Sequence, residues 1–276
     1  MPAKSYAFKL GHVNCTVLLD GTPFIGACGI LKRFPEATEA EYRLAYTDIG
    51  LKLDEATDSF NILVAQLGEE RVLVDAGEGG RPHGGHLLDS MRLAGIAPDS
   101  ITQVVITHAH GDHILGLVSD DHEPLFPNAT YVISRDEMAY WQSRMDGGMA
   151  DQSGIVAMMR AKGLRLIDMD EEIMSGLAAV PIPGHTPGQI ALLFESQSEK
   201  LLHMADLLHN PMQFAHPEWS PTFDVDIRCS VPTRRNALDQ AASENLLTLF
   251  YHLTFPGLGW VRQAETGFRW QPLGMA

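Results

Sequence analysis

The run Val104-Val105-Ile106 passes straight into Thr107-His108-Ala109-His110-Gly111-Asp112-His113, so an apolar strand ends in three imidazoles and a carboxylate within six positions. Neutral imidazole and carboxylate are the ligands that zinc and related divalent ions take, so the segment reads as a metal site carried on a loop. Alternate residues at a strand end share a side. That rule puts His108 and His110 together, while the turn at Gly111 frees Asp112 and His113 for a second centre. One loop can therefore feed two cations, and the chain must fold so that further ligands reach them.

Three such ligands stand beside apolar runs or glycine-rich turns. His185 lies in Pro183-Gly184-His185-Thr186-Pro187-Gly188, a loop fixed by glycine and proline. Asp206 closes Leu201-Leu202-His203-Met204-Ala205, and a buried carboxylate needs a partner there. His252 lies in Tyr251-His252-Leu253-Thr254-Phe255-Pro256-Gly257-Leu258-Gly259, read as an apolar strand followed by a turn. A lone histidine beside apolar residues is more often a hydrogen-bonded core residue; beside the first cluster these three take on a different weight.

The order His-x-His-x-Asp-His, then His185, Asp206 and His252, resembles the metallo-β-lactamase superfamily over nearly the whole length. The resemblance implies that His108, His110 and His185 bind one cation, that Asp112, His113 and His252 bind a second, and that Asp206 bridges them. It implies a binuclear hydrolase with two divalent ions, zinc foremost, whose bridging hydroxide is the nucleophile. Asp75, in the Asp-x-Gly turn after Val72-Leu73-Val74, then lies under the site as an acceptor for a ligand imidazole. Thr107 and Thr186 adjoin ligands and are candidates for orienting them.

A bridging Asp206 separates the chain from the β-lactamases of the superfamily. The residues after His252 are too few for the helical extension of hydroxyacylglutathione hydrolases. The segments Asp206 to Phe214, Phe223-Asp224-Val225-Asp226 and Phe255 to Gly259 resemble the branch of N-acyl-homoserine lactonases and methyl parathion hydrolases. The leading expectation is a lactonase acting on N-acyl-homoserine lactones, with Asp112, Asp206 and His209 as the catalytic group. The alternatives are a hydrolase of organophosphate triesters or other carboxylic esters or thioesters, and a non-catalytic metal-binding protein. His209 occupies the place, three after the bridging Asp, where many lactonases carry Tyr, and a histidine there could donate to an oxyanion.

The chain-wide features fit a small-molecule partner. A net charge of −15 argues against nucleic acid, because phosphate binding needs clustered Lys and Arg. Neither a secretory leader nor a stretch long enough to span a bilayer is visible, so a cytoplasmic location without membrane association is expected. Three cysteines without close pairing read as reduced thiols.

Strand signals arrive in blocks with helices between. They predict an α/β (α+β) fold, a four-layer αβ/βα sandwich of two mixed sheets flanked by helices, in a single domain over 1–276. Residues 31–59 read as an irregular excursion whose exposed aromatics Phe34, Tyr42 and Tyr46 form a flap or a homodimer contact. Met149 to Met159 reads as mobile, and the last helix as Thr233 to Leu247. Phe214, Trp219, Phe223, Met149 and Met158 are the candidates for an acyl-chain pocket.

Overall fold

The computed structural model describes residues 4–80, 84–119, 121, 123–145 and 150–274. Strands β1 (Lys4–Leu10) and β2 (Val13–Gly21) form a hairpin through Gly11, whose φ of 55° suits a residue without a Cβ. Helices α1 (Gly26–Arg33) and α2 (Glu39–Asp48) precede β3 (Phe60–Leu67) and β4 (Glu70–Val74). After α3 (Leu87–Leu93) come β5 (Gln103–Ile106), the one-turn α4 (Gly111–Ile114) and β6 (Thr130–Ser134). Helices α5 (Arg135–Met145) and α6 (Ala150–Lys162) lead to β7 (Leu164–Ile167). These strands make one sheet in chain order, antiparallel from β1 to β4 and parallel from β4 to β7.

The second sheet holds β8 (Glu172–Met174), β9 (Leu177–Pro181), β10 (Ile190–Ser196) and β11 (Glu199–His203). Helix α7 (Ile227–Ser243) then crosses to β12 (Leu247–Leu249), which pairs parallel with β11, and β13 (Leu258–Gln263) and β14 (Phe268–Pro272) complete it. The architecture is the expected α/β sandwich of two mixed sheets between helices.

The period-2 pattern explains the layers. In β5 and β6, Val104, Ile106, Tyr131 and Ile133 face α3, α5 and α6, packing with Met91, Met138, Trp141 and Ile155. The intervening Val105 and Val132 face the other sheet and meet Ile190, Leu192, Phe194 and Leu249. The outer face of the second sheet, with Ala191, Leu202 and Val261, is covered by Leu238 and Ala241 of α7. Parallel β4 and β5, and parallel β11 and β12, end on one side of the sandwich, where Ile190 N donates to Thr107 O at 3.1 Å and ties the two sheets.

Several sequence expectations change. Residues 31–59 are mostly helical, and Phe34, Tyr42 and Tyr46 are buried, packed with Ile30, Leu53, Met212 and Trp219. Tyr42 donates to Phe34 O at 2.7 Å and meets Trp219 edge-on at 4.8 Å, so these aromatics are interior contacts and do not supply an exposed face. Thr38 and Glu41 close a capping box at the start of α2.

The stretch read as mobile becomes α6, while Met149 lies outside the described residues. Helix α7 begins at Ile227 and takes in Pro232; Asp226 caps it by accepting from Arg228 N and Cys229 N. The segment around His252 is the loop between β12 and β13, not a strand. Among the described residues no helix is long and apolar enough to cross a membrane.

One close crossing anchors the loop that follows β5. Ala76 N donates to His113 O at 2.7 Å and Gly116 N to Gly77 O at 3.1 Å. A Cβ at Gly116 would lie 1.9 Å from Ala76 O. Gly116→Ala is expected to cost about 1–3 kcal/mol in urea unfolding of the metal-free chain, followed by tryptophan fluorescence. An unchanged midpoint would show that the crossing yields without cost.

Candidate metal centre

All seven residues picked out as ligands converge at that end of the sandwich. One donor atom each from His108, His110, His185 and Asp206 lies within 4.8 Å of the others, and the same holds for Asp112, His113 and His252. In the first group, His110 Nδ1 is 3.0 Å from His108 Nε2 and 2.9 Å from His185 Nε2. Asp206 Oδ2 is 3.6 Å from His108 Nε2 and 3.4 Å from His185 Nε2. In the second, Asp112 Oδ2 is 3.9 Å from His113 Nε2 and 3.6 Å from His252 Nε2. Asp206 reaches this group too, with Oδ1 3.1 Å from His113 Nε2 and Oδ2 3.0 Å from His252 Nε2.

The rear atom of each ring identifies the front one. Thr107 Oγ1 donates its only proton to Asp75 Oδ2 at 2.8 Å, so at 3.2 Å from His108 Nδ1 it must accept. His113 Nδ1 donates to Asp75 Oδ2 at 2.8 Å, and His185 Nδ1 to Asp224 Oδ1 at 2.9 Å. His252 Nδ1 lies 3.0 Å from Asp58 Oδ1. With Nδ1 carrying the proton, Nε2 of His108, His113 and His185 presents a lone pair to the centre.

Converging lone pairs repel unless positive charge lies among them. A tetrahedral cation with bonds of about 2.0–2.1 Å spaces its ligands about 3.3 Å apart, within the range of 2.9 to 3.9 Å between these donors. His113 Nε2 and Asp206 Oδ1 are buried without a hydrogen-bond partner. The donor set therefore fits divalent metal.

The electrostatics agree. Burial, then the neighbouring imidazoles, push His108 well below its ordinary value and His110 down to about 2. Burial also opposes charge on His113, yet Asp206, Asp75 and Asp112 outweigh it and raise that ring to about 10. Burial works against the Asp206 carboxylate, but His113, His252, His108 and His209 hold it well below the carboxylate range. A centre with this much negative charge binds protons where cations would sit, and cation binding has to release them.

The profile of the metallo-beta-lactamase superfamily matches residues 57–251. The chain belongs to this superfamily. AidC, a dizinc quorum-quenching lactonase in complex with the product N-hexanoyl-L-homoserine, is similar with a TM-score of 0.92 and 28% identity, over 99% of both chains. The hydrolase AbOPH shares the fold, with a TM-score of 0.90 at 24% identity over 100% of this chain and 99% of that one. A metallo-beta-lactamase domain-containing protein 1 from Xenopus laevis is 30% identical over 152 residues, 55% of this chain and 54% of that protein. The matches to curated relatives span about half of their length or less. Its convergent His and Asp groups are of the kind that can hold metal ions, and lactonases are among its structural neighbours.

A cavity of about 380 Å³ opens over the centre, lined by His110, Asp112, His209, Phe60, Leu115 and Phe223 and edged by Arg33, Asp58 and Glu78. Of the described residues expected to line an acyl pocket, Phe223 alone does so. Phe214 is buried against Phe250 and Trp270, Trp219 against Tyr42 and His216, and Met158 packs on the core of the first sheet. Their apolar character served the interior.

Supporting residues to which the sequence assigned no role are Asp58, Asp224, Glu137, Arg33 and Arg234, although Asp224 stands in a segment that resembles the lactonase branch. Arg33 Nη1 donates to Asp58 Oδ2 at 2.7 Å. Asp224 holds His185 from behind and also accepts from Ser230 Oγ at 2.8 Å and Arg234 Nη2 at 3.0 Å. Arg234, nearly inaccessible, further donates to Leu207 O at 2.9 Å and Pro217 O at 2.8 Å, and so ties the loop after Asp206 to α7. Arg234→Met leaves the Asp224 carboxylate without its buried guanidinium partner. A loss of about 3–5 kcal/mol is expected in denaturant unfolding, with little change if Arg234 only fills space.

Proposed function

We propose that the chain is a binuclear metal-dependent lactonase that opens N-acyl-homoserine lactones. The observation that carries this is Asp206, whose two oxygens face both ligand groups, Oδ1 at 3.1 Å from His113 and Oδ2 at 3.4 Å from His185. His108, His110 and His185 would hold one cation and Asp112, His113 and His252 the other, with Asp206 shared between them. Two zinc ions bound there would supply Lewis acidity and an activated water at neutral pH. The full-length similarity to a dizinc lactonase supports the substrate class.

The protein's own groups supply the rest. A cavity of about 380 Å³ suits a small molecule, and Phe60, Leu115 and Phe223 give it apolar wall for an acyl chain. His209 stacks on His252 with centroids 4.9 Å apart and places Nε2 3.0 Å from Asp206 Oδ2. A carboxylate accepts, so Nε2 carries the proton and Nδ1, buried and without a partner, has the lone pair. Burial lowers this imidazole to about 4, so it is neutral near pH 7. In this tautomer Nδ1 has no proton to donate toward an oxyanion, and the neutral ring cannot give up its Nε2 proton without becoming an imidazolate; His209 instead orients Asp206, which would carry the attacking water's proton to the leaving alkoxide.

The test is metal analysis together with a substrate panel of N-hexanoyl-L-homoserine lactone, an aryl phosphotriester and a thioester. Two cations per chain and preference for the lactone are expected. Asp206→Ala should release metal and lower kcat/KM about a hundredfold or more. Chelation should abolish turnover and added zinc restore it. Faster hydrolysis of the phosphotriester would replace the lactonase reading with the triesterase one, and bound metal without turnover on any substrate would make the chain a metal-binding protein only.

A further inference from the structure

Glu137 is fully buried on α5 and makes no hydrogen bond to a ligand side chain, yet its contacts bear on three ligands at once. Oε1 accepts from Ala109 N at 2.9 Å and from Trp141 Nε1 at 2.6 Å. Oε2 accepts from Thr186 Oγ1 at 2.6 Å and Gly188 N at 3.2 Å. Ala109 separates His108 from His110, the Trp141 ring lies edge-on to His110 at 5.4 Å, and Thr186 follows His185. A second strap runs alongside: Ser134 Oγ accepts from Glu137 N at 3.1 Å and donates to Gly188 O at 2.6 Å. The approach is close, since a Cβ on Gly188 would lie 2.0 Å from Glu137 N.

Asp112, His113 and His252 hang on other groups. Asp75 holds His113, Asp58 faces His252, and Tyr251 stacks on His113 at 4.1 Å while donating to Asp112 O at 2.5 Å. We infer that Glu137 is a positioning residue for one cation of the two, locking the loops that carry His108, His110 and His185 while leaving the other ligand set alone. This rests on the two-cation reading above.

The chemistry requires a carboxylate. All four contacts are donors, so an acid with only acceptor lone pairs satisfies every one. An amide of the same shape turns its N–H₂ either toward Ala109 N and Trp141 Nε1 or toward Gly188 N. Only the Thr186 hydroxyl can rotate to accept. Either orientation leaves an N–H facing an N–H in a buried space, and the loops must separate.

The experiment is zinc titration of the metal-free chain against a competing chelator, with circular dichroism and urea unfolding as checks on the fold. Glu137→Gln should weaken one of the two affinities about 10–100-fold and leave the other unchanged. In a His252→Ala background, which keeps the His108, His110 and His185 set, the remaining tight affinity should fall by the same factor; in a His185→Ala background Glu137→Gln should be silent. Should Glu137→Gln fail to fold, Thr186→Val, which removes one donor, should weaken the same cation by a smaller factor. Equal weakening of both cations, or of neither, overturns the inference. A wild-type chain that binds a single cation overturns the two-cation reading instead, and the affinity of that cation in Glu137→Gln still decides the role of Glu137.

Discussion

The structure depends on burying imidazoles that must be neutral to hold a cation and must point one chosen nitrogen at a shared centre. A buried neutral histidine has two tautomers, and only the partner behind the ring selects one. Asp75 and Asp224 do this for His113 and His185, Thr107 relays Asp75 to His108, and Asp58 stands behind His252. Each of these carboxylates carries its own buried cost, offset by donors from elsewhere in the chain: Thr107 N on Asp75, Arg33 on Asp58, Arg234 and Ser230 on Asp224. The network reaches from the first sheet to α7, so the geometry of the centre and the packing of the sandwich are one problem.

The topology makes this solvable. Parallel pairing of β4 with β5 and of β11 with β12 brings four strand ends to one side, and the loops after them carry Asp75, the His108 cluster, Asp206 and His252. The connection from β9 to β10 adds His185 at the same side. The strand interiors are apolar on both faces because helices and the opposite sheet cover them, leaving irregular backbone at the ends to hold the polar groups. Asp75 takes a φ of 61°, a conformation that Asp tolerates better than most residues, and so turns its carboxylate back under the cluster.

The seven residues that converge at the centre were legible because each is a chemically loud type beside an apolar run, and their order is characteristic. The strands were legible from the same runs. What hid was disguised by a second, ordinary explanation. Ser134 and Glu137 have the spacing of a helix capping box, which would account for both without a role at the centre. Asp58 precedes a strand as many turn residues do, and Arg234 sits on a helix whose start the sequence placed only one residue earlier, among other charged residues. Phe34, Tyr42 and Tyr46 read as surface because acidic residues surround them; α2 turns those acids outward and the rings inward, a period-3.6 sorting that a ten-residue helix shows only weakly.

The cavity wall is the part that local sequence could not give, because no single segment builds it. Arg33 comes from α1, Phe60 from β3, Leu115 from the turn after α4, and Phe223 from the loop before α7. Among the described lining residues Arg33 is the one Lys or Arg, and it bonds Asp58 while lying 5.9 Å from the Phe223 ring centre. Tyr46 of α2 accepts from Asn210, the residue after His209, at 2.5 Å. The excursion between β2 and β3 thus supplies both a charged edge of the cavity and a brace for Asn210 beside His209, without contributing any of the seven converging residues. Changes in that excursion can alter what the cavity admits while the seven converging residues stay in place, which is why a residue pattern read from sequence identifies the chemistry more sharply than the substrate.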